Sequence, residues 1–349
     1  MLLVACALVA LIAAGCGSSS STSGKKSGGS GAGHAAASGV VSRVGTVAAF
    51  LSGPEASNPF SVAEAAGYAE GAKQTGLKVK VFDPSAYDPS IQYAQIQDAL
   101  STNQYKSYVI DPAGSNLCKL MRNAVQTQHI NVVVIESPLC GENDAGSAGL
   151  HSAGTLTYIG GNANLNGYIA YWKAFVSHTS GTRQILSVTG PEGAGNEIPW
   201  ITAQTQVLQG TPRLHLVGTV HTDYTTPTSV TDVENFLQAH KNVDSIVTNY
   251  ITCTIGAVTA VKDLGLQGKI KIYDVGGDQQ AVDLIKAGKI VATAPYFPKS
   301  MSYAAMLSLE RYGEKKSVPV YQGDDGNPAE TAKYGWISSS NVGSYIAQY

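Results

Sequence analysis

The sequence predicts an α/β protein of two lobes, each built on a doubly wound parallel sheet. Short apolar strands alternate with helix-like segments along nearly the whole chain, as in parallel sheets covered by helices. Residues 131–135 are apolar almost throughout, which is typical of a strand buried on both faces. After a polar, glycine-rich stretch at 141–154 the alternation starts again. The 349 residues therefore divide into two similar halves, which predicts two lobes with a cleft between them.

The first half begins with a strand at 46–51, whose exit loop ends in Asn58, Pro59 and Phe60 before a helix at 61–76. The same order then repeats, with strands at 78–82, 108–110 and 131–135 and helices at 89–103 and 116–128. Loops that follow parallel strands meet at the carboxyl edge of the sheet, where open α/β sheets bind ligands. We therefore expect these exit loops to carry the binding residues.

The second half repeats this pattern after residues 157–160. It predicts helices at 164–177, 199–208, 230–240, 255–264 and 281–287, and strands at 184–188, 214–220, 245–248, 270–273 and 291–294. Asp278 precedes one of these helices and is expected to cap it rather than to bind a ligand. The tail predicts a helix at 301–312, a strand-like segment at 334–337 and a closing helix.

The composition excludes several classes of partner. Charged residues make up 14% of the chain and the formal net charge is −2. The sequence has neither a basic stripe nor a run of like charges, so it gives no reason to expect nucleic acid or an anionic membrane surface as a partner.

The sequence also lacks the motifs of several enzyme classes. A glycine-rich loop at 190–195 follows a strand, but Asn196 and Glu197 stand where a phosphate-binding loop requires Lys and Ser or Thr. No Gly-x-Ser-x-Gly nucleophile motif occurs. The seven histidines are scattered and form no zinc-binding pattern. We therefore expect a protein without metal, cofactor or catalytic residues.

Residues 1–16 predict a lipoprotein signal peptide. Residues 2–14 are apolar over about the length of a signal-peptide core and are too short to span a bilayer. The small residues that precede Cys16 resemble the lipobox of bacterial lipoproteins, in which the cysteine is lipidated. Residues 17–42 are rich in Ser, Gly and Ala and are expected to form a flexible tether. This implies a folded protein anchored by lipid outside the cytoplasmic membrane; the alternative is a buried N-terminal helix.

Three cysteines lie in the predicted folded region. Cys118 opens a helix after one strand and Cys140 follows the next strand, so both lie at the same sheet edge. In an oxidising compartment a Cys118–Cys140 disulfide is expected, the alternative being two buried thiols. Cys253 is then expected to be a thiol in the core.

Several exit-loop segments share their order and spacing with one known family. They are 58–60, 108–115, 130–136, 159–162, 238–249, 272–277 and 288–293. Together they resemble the type I periplasmic solute-binding proteins of the ribose- and galactose-binding kind, from about residue 43 to the C-terminus. In that family the chain crosses between the lobes three times. The resemblance implies a first lobe of 43–155 plus 297–322 and a second lobe of 156–296 plus 323–349.

The resemblance also implies a ligand site in the cleft. Asn58 and Phe60 match residues that hydrogen-bond to a sugar and stack on it. Glu136 matches a carboxylate that accepts hydroxyl donors, or it can cap the neighbouring helix. Tyr224 matches an aromatic residue that stacks opposite Phe60, and Asn249 matches a ligand-binding asparagine.

Three further positions in this site depart from the family pattern. Ser137 and Trp200 stand where the family usually has arginines, and Tyr296 replaces a glutamine; Trp200 can alternatively pack within its own lobe. These changes predict a less charged and more aromatic cleft. Each buried polar group left unpaired costs about 1–3 kcal/mol, so such a cleft favours a ligand with fewer hydroxyl groups than ribose or glucose, or one with a flat ring.

The function that the resemblance implies is that of a receptor. A monomer would capture a sugar or sugar-like small molecule by hinge closure and deliver it to an ABC permease in the membrane. Two alternatives remain open at this point: a lobe that senses ligand for a chemoreceptor or kinase, and an enzyme on the same architecture.

Overall fold

The structure, a computed structural model, describes residues 38–140, 154–160, 163–323 and 335–349. The predicted signal peptide, Cys16, most of the predicted tether and residues 161–162 lie outside the described residues.

Alternating strands and helices run along the described chain. The strands are β1 (Thr46–Phe50), β2 (Val79–Phe82), β3 (Tyr105–Ile110), β4 (Asn131–Ile135), β5 (Thr157–Ile159), β6 (Arg183–Thr189), β7 (Leu214–His221), β8 (Ser245–Thr248), β9 (Lys271–Gly276), β10 (Ala292–Pro295), β11 (Tyr321–Gln322) and β12 (Ile337–Ser338). The helices are α1 (Ser38–Val44), α2 (Pro59–Thr75), α3 (Pro89–Thr102), α4 (Leu117–Gln128), α5 (Leu165–His178), α6 (Glu197–Gln209), α7 (Thr226–Ala239), α8 (Ile251–Asp263), α9 (Gln279–Lys286) and α10 (Pro298–Gly313).

The strands form two six-stranded sheets. The first has the order β11-β5-β4-β3-β1-β2, and its neighbouring strands are parallel. The second has the order β12-β10-β9-β8-β6-β7 and is parallel except for β12, which runs antiparallel to β10. The predicted fold class of two doubly wound lobes is confirmed. We call the parts of the chain built on these sheets the first lobe and the second lobe.

Both faces of the first sheet are buried, which explains its apolar strands. Ala49 of β1 lies in one core cluster with Met306 of α10. Its neighbour Phe50 lies in a separate cluster with Ile96 of α3. Because successive side chains of a strand point to opposite faces, β1 must be apolar at every position that helices cover.

Side-chain caps fix the starts of the helices that face the strand ends. The backbone N–H of Phe60 donates to Oδ1 of Asn58 at 3.1 Å, and Pro59 occupies the first turn of α2. Asp278 caps α9 in the same way and accepts from the N–H of Ala281 at 2.7 Å. The expected capping role of Asp278 is confirmed.

The structure corrects where the chain first crosses between the lobes. The second lobe was expected to begin at residue 156, but β5 pairs in parallel with β4, with Ile159 opposite Ile135. On its other side Ile159 lies opposite Gln322 of β11. A three-residue strand carries too little periodicity to show which sheet it joins, and here it completes the first sheet.

The end of the predicted tether is also corrected. Residues 38–42 begin α1, which extends to Val44. Val40 and Val44 are four residues apart and therefore share one helix face. Both are buried, next to Gly313 at the end of α10. This apolar contact packs α1 against the end of α10.

The predicted closing helix is wrong. Residues 335–349 contain β12 and turns but no helix. The hydroxyl of Tyr345 donates to the carbonyl of Gly277 at 2.7 Å, and that of Tyr349 donates to the carbonyl of Gly276 at 2.8 Å. These side-chain bonds hold the segment in a non-helical path along the end of β9.

A disulfide joins Cys118 at the start of α4 to Cys140 beyond β4, with their Cα atoms 4.6 Å apart. Cys253 is a free, buried thiol. The disulfide therefore ties the exit loop of β4 to the neighbouring helix of the same lobe.

The α10 helix returns to the first lobe and packs along α2 at two glycines. A Cβ atom at Gly67 would lie 2.2 Å from the carbonyl oxygen of Lys299 and 2.0 Å from Oγ of Ser302. A Cβ atom at Gly71 would lie 2.6 Å from Cβ of Met306. The two helix backbones thus approach each other only because these positions lack side chains.

We expect Gly67→Ala to lower the free energy of unfolding by about 1–3 kcal/mol, because the Lys299 backbone must move away. The improved helix propensity of alanine offsets only about 1 kcal/mol of the strain. Gly39→Ala in α1 is the matched control, since its Cβ would meet nothing within 4 Å. Urea denaturation measures both variants, and an unchanged unfolding free energy for Gly67→Ala would contradict the close packing.

Candidate functional site

The carboxyl ends of strands from both lobes surround one cavity of about 330 Å³, within the range of small-molecule sites. Asp111 follows β3 directly and Glu136 follows β4 directly, while Asn58 and Phe60 start α2. All four line the cavity. From the second lobe the lining includes Asn196, Tyr224, Tyr250, Thr252 and Tyr296.

Six of the eight predicted ligand-binding residues line this cavity. They are Asn58, Phe60, Glu136, Ser137, Tyr224 and Tyr296. The ring of Phe60 meets the ring of Tyr296 edge-on at 6.2 Å and that of Tyr349 at 5.8 Å between centroids.

Trp200 does not line the cavity, which corrects its predicted role. Its side chain is fully buried, and its Nε1–H donates to Oγ of Ser187 at 3.0 Å. Its ring centroid lies 5.2 Å from that of Tyr168 and 5.1 Å from that of Trp172. The residue therefore packs in the second lobe between α6, α5 and the sheet.

Asn249 does not line the cavity either, but it contacts a residue that does. Its Nδ2 donates to the hydroxyl of Tyr224 at 3.0 Å, and that hydroxyl donates to Oδ1 of Asn196 at 2.9 Å. Asn249 is fully buried. It therefore orients the Tyr224 side chain instead of meeting a ligand directly.

Two lining residues adopt a backbone conformation that is uncommon for residues with side chains. Glu136 and Tyr224 both have φ of 60°, in the left-handed region. In each case the strained residue follows a strand end, and strain of this kind clusters at functional sites. This backbone conformation changes the direction of the chain after β4 in the first lobe and after β7 in the second lobe.

The lobes touch each other around the cavity. The N–H of Gly195 donates to the carbonyl of Ala113 at 3.3 Å, and the hydroxyl of Tyr250 donates to Oδ1 of Asn58. The rings of Tyr87 and Tyr224 meet edge-on across the cleft, with centroids 5.2 Å apart. The cavity is therefore enclosed by contacts between the lobes.

Asp111 is the most deeply buried charged group of the lining. Its side chain is 1% exposed, and its Oδ2 accepts from the hydroxyl of Ser52. Burial raises the pKa of Asp111 to about 7, although the hydrogen bond from Ser52 acts in the opposite direction. The place of Asp111 in the site was not predicted, because an aspartate before proline also suits a simple turn.

The other lining residues that were not predicted include Tyr87, Asn196 and Tyr250. Tyr250 directly follows Asn249 at the end of β8, and Tyr87 lies in the loop between β2 and α3. Their position after strand ends is the signal that could have identified them.

The described ranges contain no group of three His, Cys, Asp or Glu side chains that could hold a metal ion. In that same part of the chain, no helix is both long and apolar enough to cross a membrane.

Comparison with known proteins places the chain among proteins that bind small molecules. A family model described as a periplasmic binding protein domain matches residues 47–317. The D-allose-binding periplasmic protein of Escherichia coli is 24% identical over 271 residues, covering 76% of this chain and 84% of that protein. The D-apiose import binding protein of Actinobacillus succinogenes is 22% identical over 259 residues, covering 74% and 79%.

Among solved structures, an ABC transporter solute-binding protein from Agrobacterium vitis with bound D-fucose has the same fold. The TM-score is 0.73, at 19% identity, and the match covers 86% of this chain and 97% of that chain.

The raised pKa of Asp111 predicts a pH-dependent change in stability on substitution. An aspartate in an unfolded chain titrates near pH 4, so between about pH 4 and 7 the native carboxyl keeps a proton that the unfolded one releases. Its contribution to stability is complete below about pH 4 and is lost as the pH rises through 7. Asp111→Asn should therefore gain stability relative to the native protein between pH 4 and 8, by about 1–4 kcal/mol.

Denaturation at several pH values measures this difference without ligand. Asp98→Asn, which removes the same charge from an exposed position of α3, is the matched control. A difference between Asp111→Asn and the native protein that stays constant with pH would contradict the burial of an uncompensated carboxyl group.

Proposed function

Since the chain belongs to the periplasmic binding protein family, we propose that it is the extracytoplasmic solute receptor of an ABC importer. It captures a sugar or sugar-like small molecule between its lobes and releases it to the permease. The observation that carries this proposal is the cavity that strand ends of both lobes enclose together.

Ligand capture by such a site needs only a difference in affinity between two arrangements of the lobes. A solute that contacts Phe60 and Glu136 in one lobe and Tyr224 in the other binds more tightly when the lobes are together. It therefore shifts the hinge equilibrium toward the closed form. Proteins of this family bind their solutes and do not transform them.

The aromatic character of the lining narrows the class of solute. Tyrosine and phenylalanine side chains form much of its wall and offer flat apolar surfaces with few hydrogen-bonding groups. Such surfaces favour a ligand whose ring stacks on them. We propose that the solute is a deoxysugar, a cyclic polyol or a ligand with an aromatic ring, and that the protein binds it as a monomer.

We also propose that the receptor is a lipoprotein. Lipidation of Cys16 would hold the chain at the membrane, and residues 17–37 would leave the folded lobes free to reach the permease. Cys16→Ser should move the protein from the membrane fraction to the soluble fraction in the native host. Equal partition of both forms would contradict the anchor.

A thermal-shift screen of the full chain tests the receptor function. Pentoses, hexoses, deoxysugars, polyols and aromatic compounds are compared, and a tight ligand should raise Tm by mass action. Small-angle scattering should then detect a more compact protein with that ligand. A ligand that binds without such a change would contradict hinge closure.

Gly195→Ala should weaken the binding of any ligand found in this way by about tenfold or more. A Cβ atom there would lie 2.9 Å from the carbonyl oxygen of Pro112 in the other lobe, so the lobes could not close fully. The clash exists only between the lobes, and therefore Tm without ligand should change little. Gly39→Ala is again the matched control, and calorimetric titration compares the variants; unchanged affinity in Gly195→Ala would contradict this closed arrangement.

A further inference from the structure

The charges around the cavity are unbalanced. Three carboxylate side chains line it, those of Asp111, Glu136 and Asp223, whereas no Lys, Arg or His occurs among the lining residues that the structure describes. Asp223 is exposed at the rim, where its oxygens accept hydrogen bonds from Thr225 and Thr228. Asp111 matters most, because its negatively charged side chain is buried.

Within the described ranges, no basic group is recorded as acting on Asp111. The titratable groups that act on it or feel its charge are Glu64 and Tyr68 of α2 and Tyr87 of the loop before α3. None of these is a cation. The only hydrogen-bond donor described for its carboxylate is Ser52.

Glu64 is a second acidic side chain that interacts with Asp111, and it cannot neutralise the negative charge of Asp111. The Glu64 side chain is fully buried, and its Oε1 accepts a hydrogen bond from the hydroxyl of Tyr68 at 2.8 Å. Burial, and then the charge of Asp111, raise the pKa of Glu64 well above its usual range. Among the described residues, the groups of the first lobe that interact electrostatically with Asp111 are therefore acidic or neutral.

The rest of the lining suits a cation as well. Rings of Phe60, Tyr87, Tyr224, Tyr250 and Tyr296 line the cavity. The face of an aromatic ring attracts a positive charge, and aromatic cages recognise ammonium groups in this way. An anionic ligand would meet carboxylates and ring faces without a partner for its charge.

We propose that the solute captured in the cleft carries a positive charge, as a protonated amine on a ring or short polyol skeleton that pairs with Asp111 among the tyrosine rings. This inference rests on the proposed receptor function and names its substrate class. The ammonium group of the solute supplies the positive charge that no described lining residue places beside the carboxylate of Asp111.

Matched pairs of compounds test the charge alone. The pairs are glucamine and sorbitol, trans-4-aminocyclohexanol and trans-1,4-cyclohexanediol, tyramine and tyrosol, and choline and 3,3-dimethylbutanol. Each is titrated calorimetrically into the full chain at pH 8, where the amines are protonated. We expect the cation of at least one pair to bind about tenfold or more tightly than its neutral partner.

Variants then assign the selectivity to Asp111. Asp111→Asn keeps the shape of the side chain and should weaken amine binding by about tenfold to a hundredfold more than it weakens binding of the neutral partner. Asp98→Asn on the exposed face of α3 should change neither affinity. A merely structural role for Asp111 would weaken both members of the pair equally.

The pH dependence of binding gives an independent readout. Below about pH 7 the free carboxyl is protonated, so a bound cation must displace its proton. Amine affinity should fall between pH 8 and pH 5.5, by up to about tenfold per pH unit. Titration in two buffers of different ionisation enthalpy should detect proton release, and Asp111→Asn should abolish it.

The outcomes separate the two proposals. If neutral sugars or alcohols bind as tightly as the amines, the receptor function stands and the charge selectivity is overturned. If no amine of the panel binds, the charge selectivity is rejected as well. If neither the neutral screen nor the amine panel yields a ligand, the receptor function loses its support too.

Discussion

The contact between the lobes at Gly195 and Ala113 is the constraint on which the site depends. A backbone hydrogen bond crosses the cleft there, and the main chains approach so closely that residue 195 has no room for a Cβ atom. Neither lobe encloses the cavity alone. The doubly wound sheets bring the exit loops to one edge, but the cavity arises only because two such edges meet without intervening side chains.

Much of this architecture follows from local patterns in the chain. Strands buried on both faces must be apolar throughout, so β1 and β4 are visible in the sequence, and the loops after them indicate the binding edge. Asn58 stands before proline, a pattern typical of a helix start, and the family resemblance implied its place in the site. The family resemblance also implied Phe60 and Glu136, which stand in the segments that follow β1 and β4.

What could not be predicted depends on packing between distant segments. Whether Trp200 faces the cleft or its own lobe is decided by the space between α5 and α6, and the Tyr168 and Trp172 rings fill that space with it. Asn249 and Tyr250 are neighbours in the chain, yet only the second lines the cavity. The three residues of β5 and the tail near Tyr349 have no strong local preference, so partner strands and side-chain hydrogen bonds decide their paths.

The disulfide of the first lobe determines where in the cell the binding site is completed. It ties the loop that carries Glu136 and Ser137 to α4, and such bonds form in oxidising compartments, not in the reducing cytoplasm. One wall of the cleft is thus completed only after the chain has left the cell interior. Protein produced in a reducing cytoplasm would lack the covalent link between this loop and α4 until it is oxidised. The finished site is therefore acquired together with export.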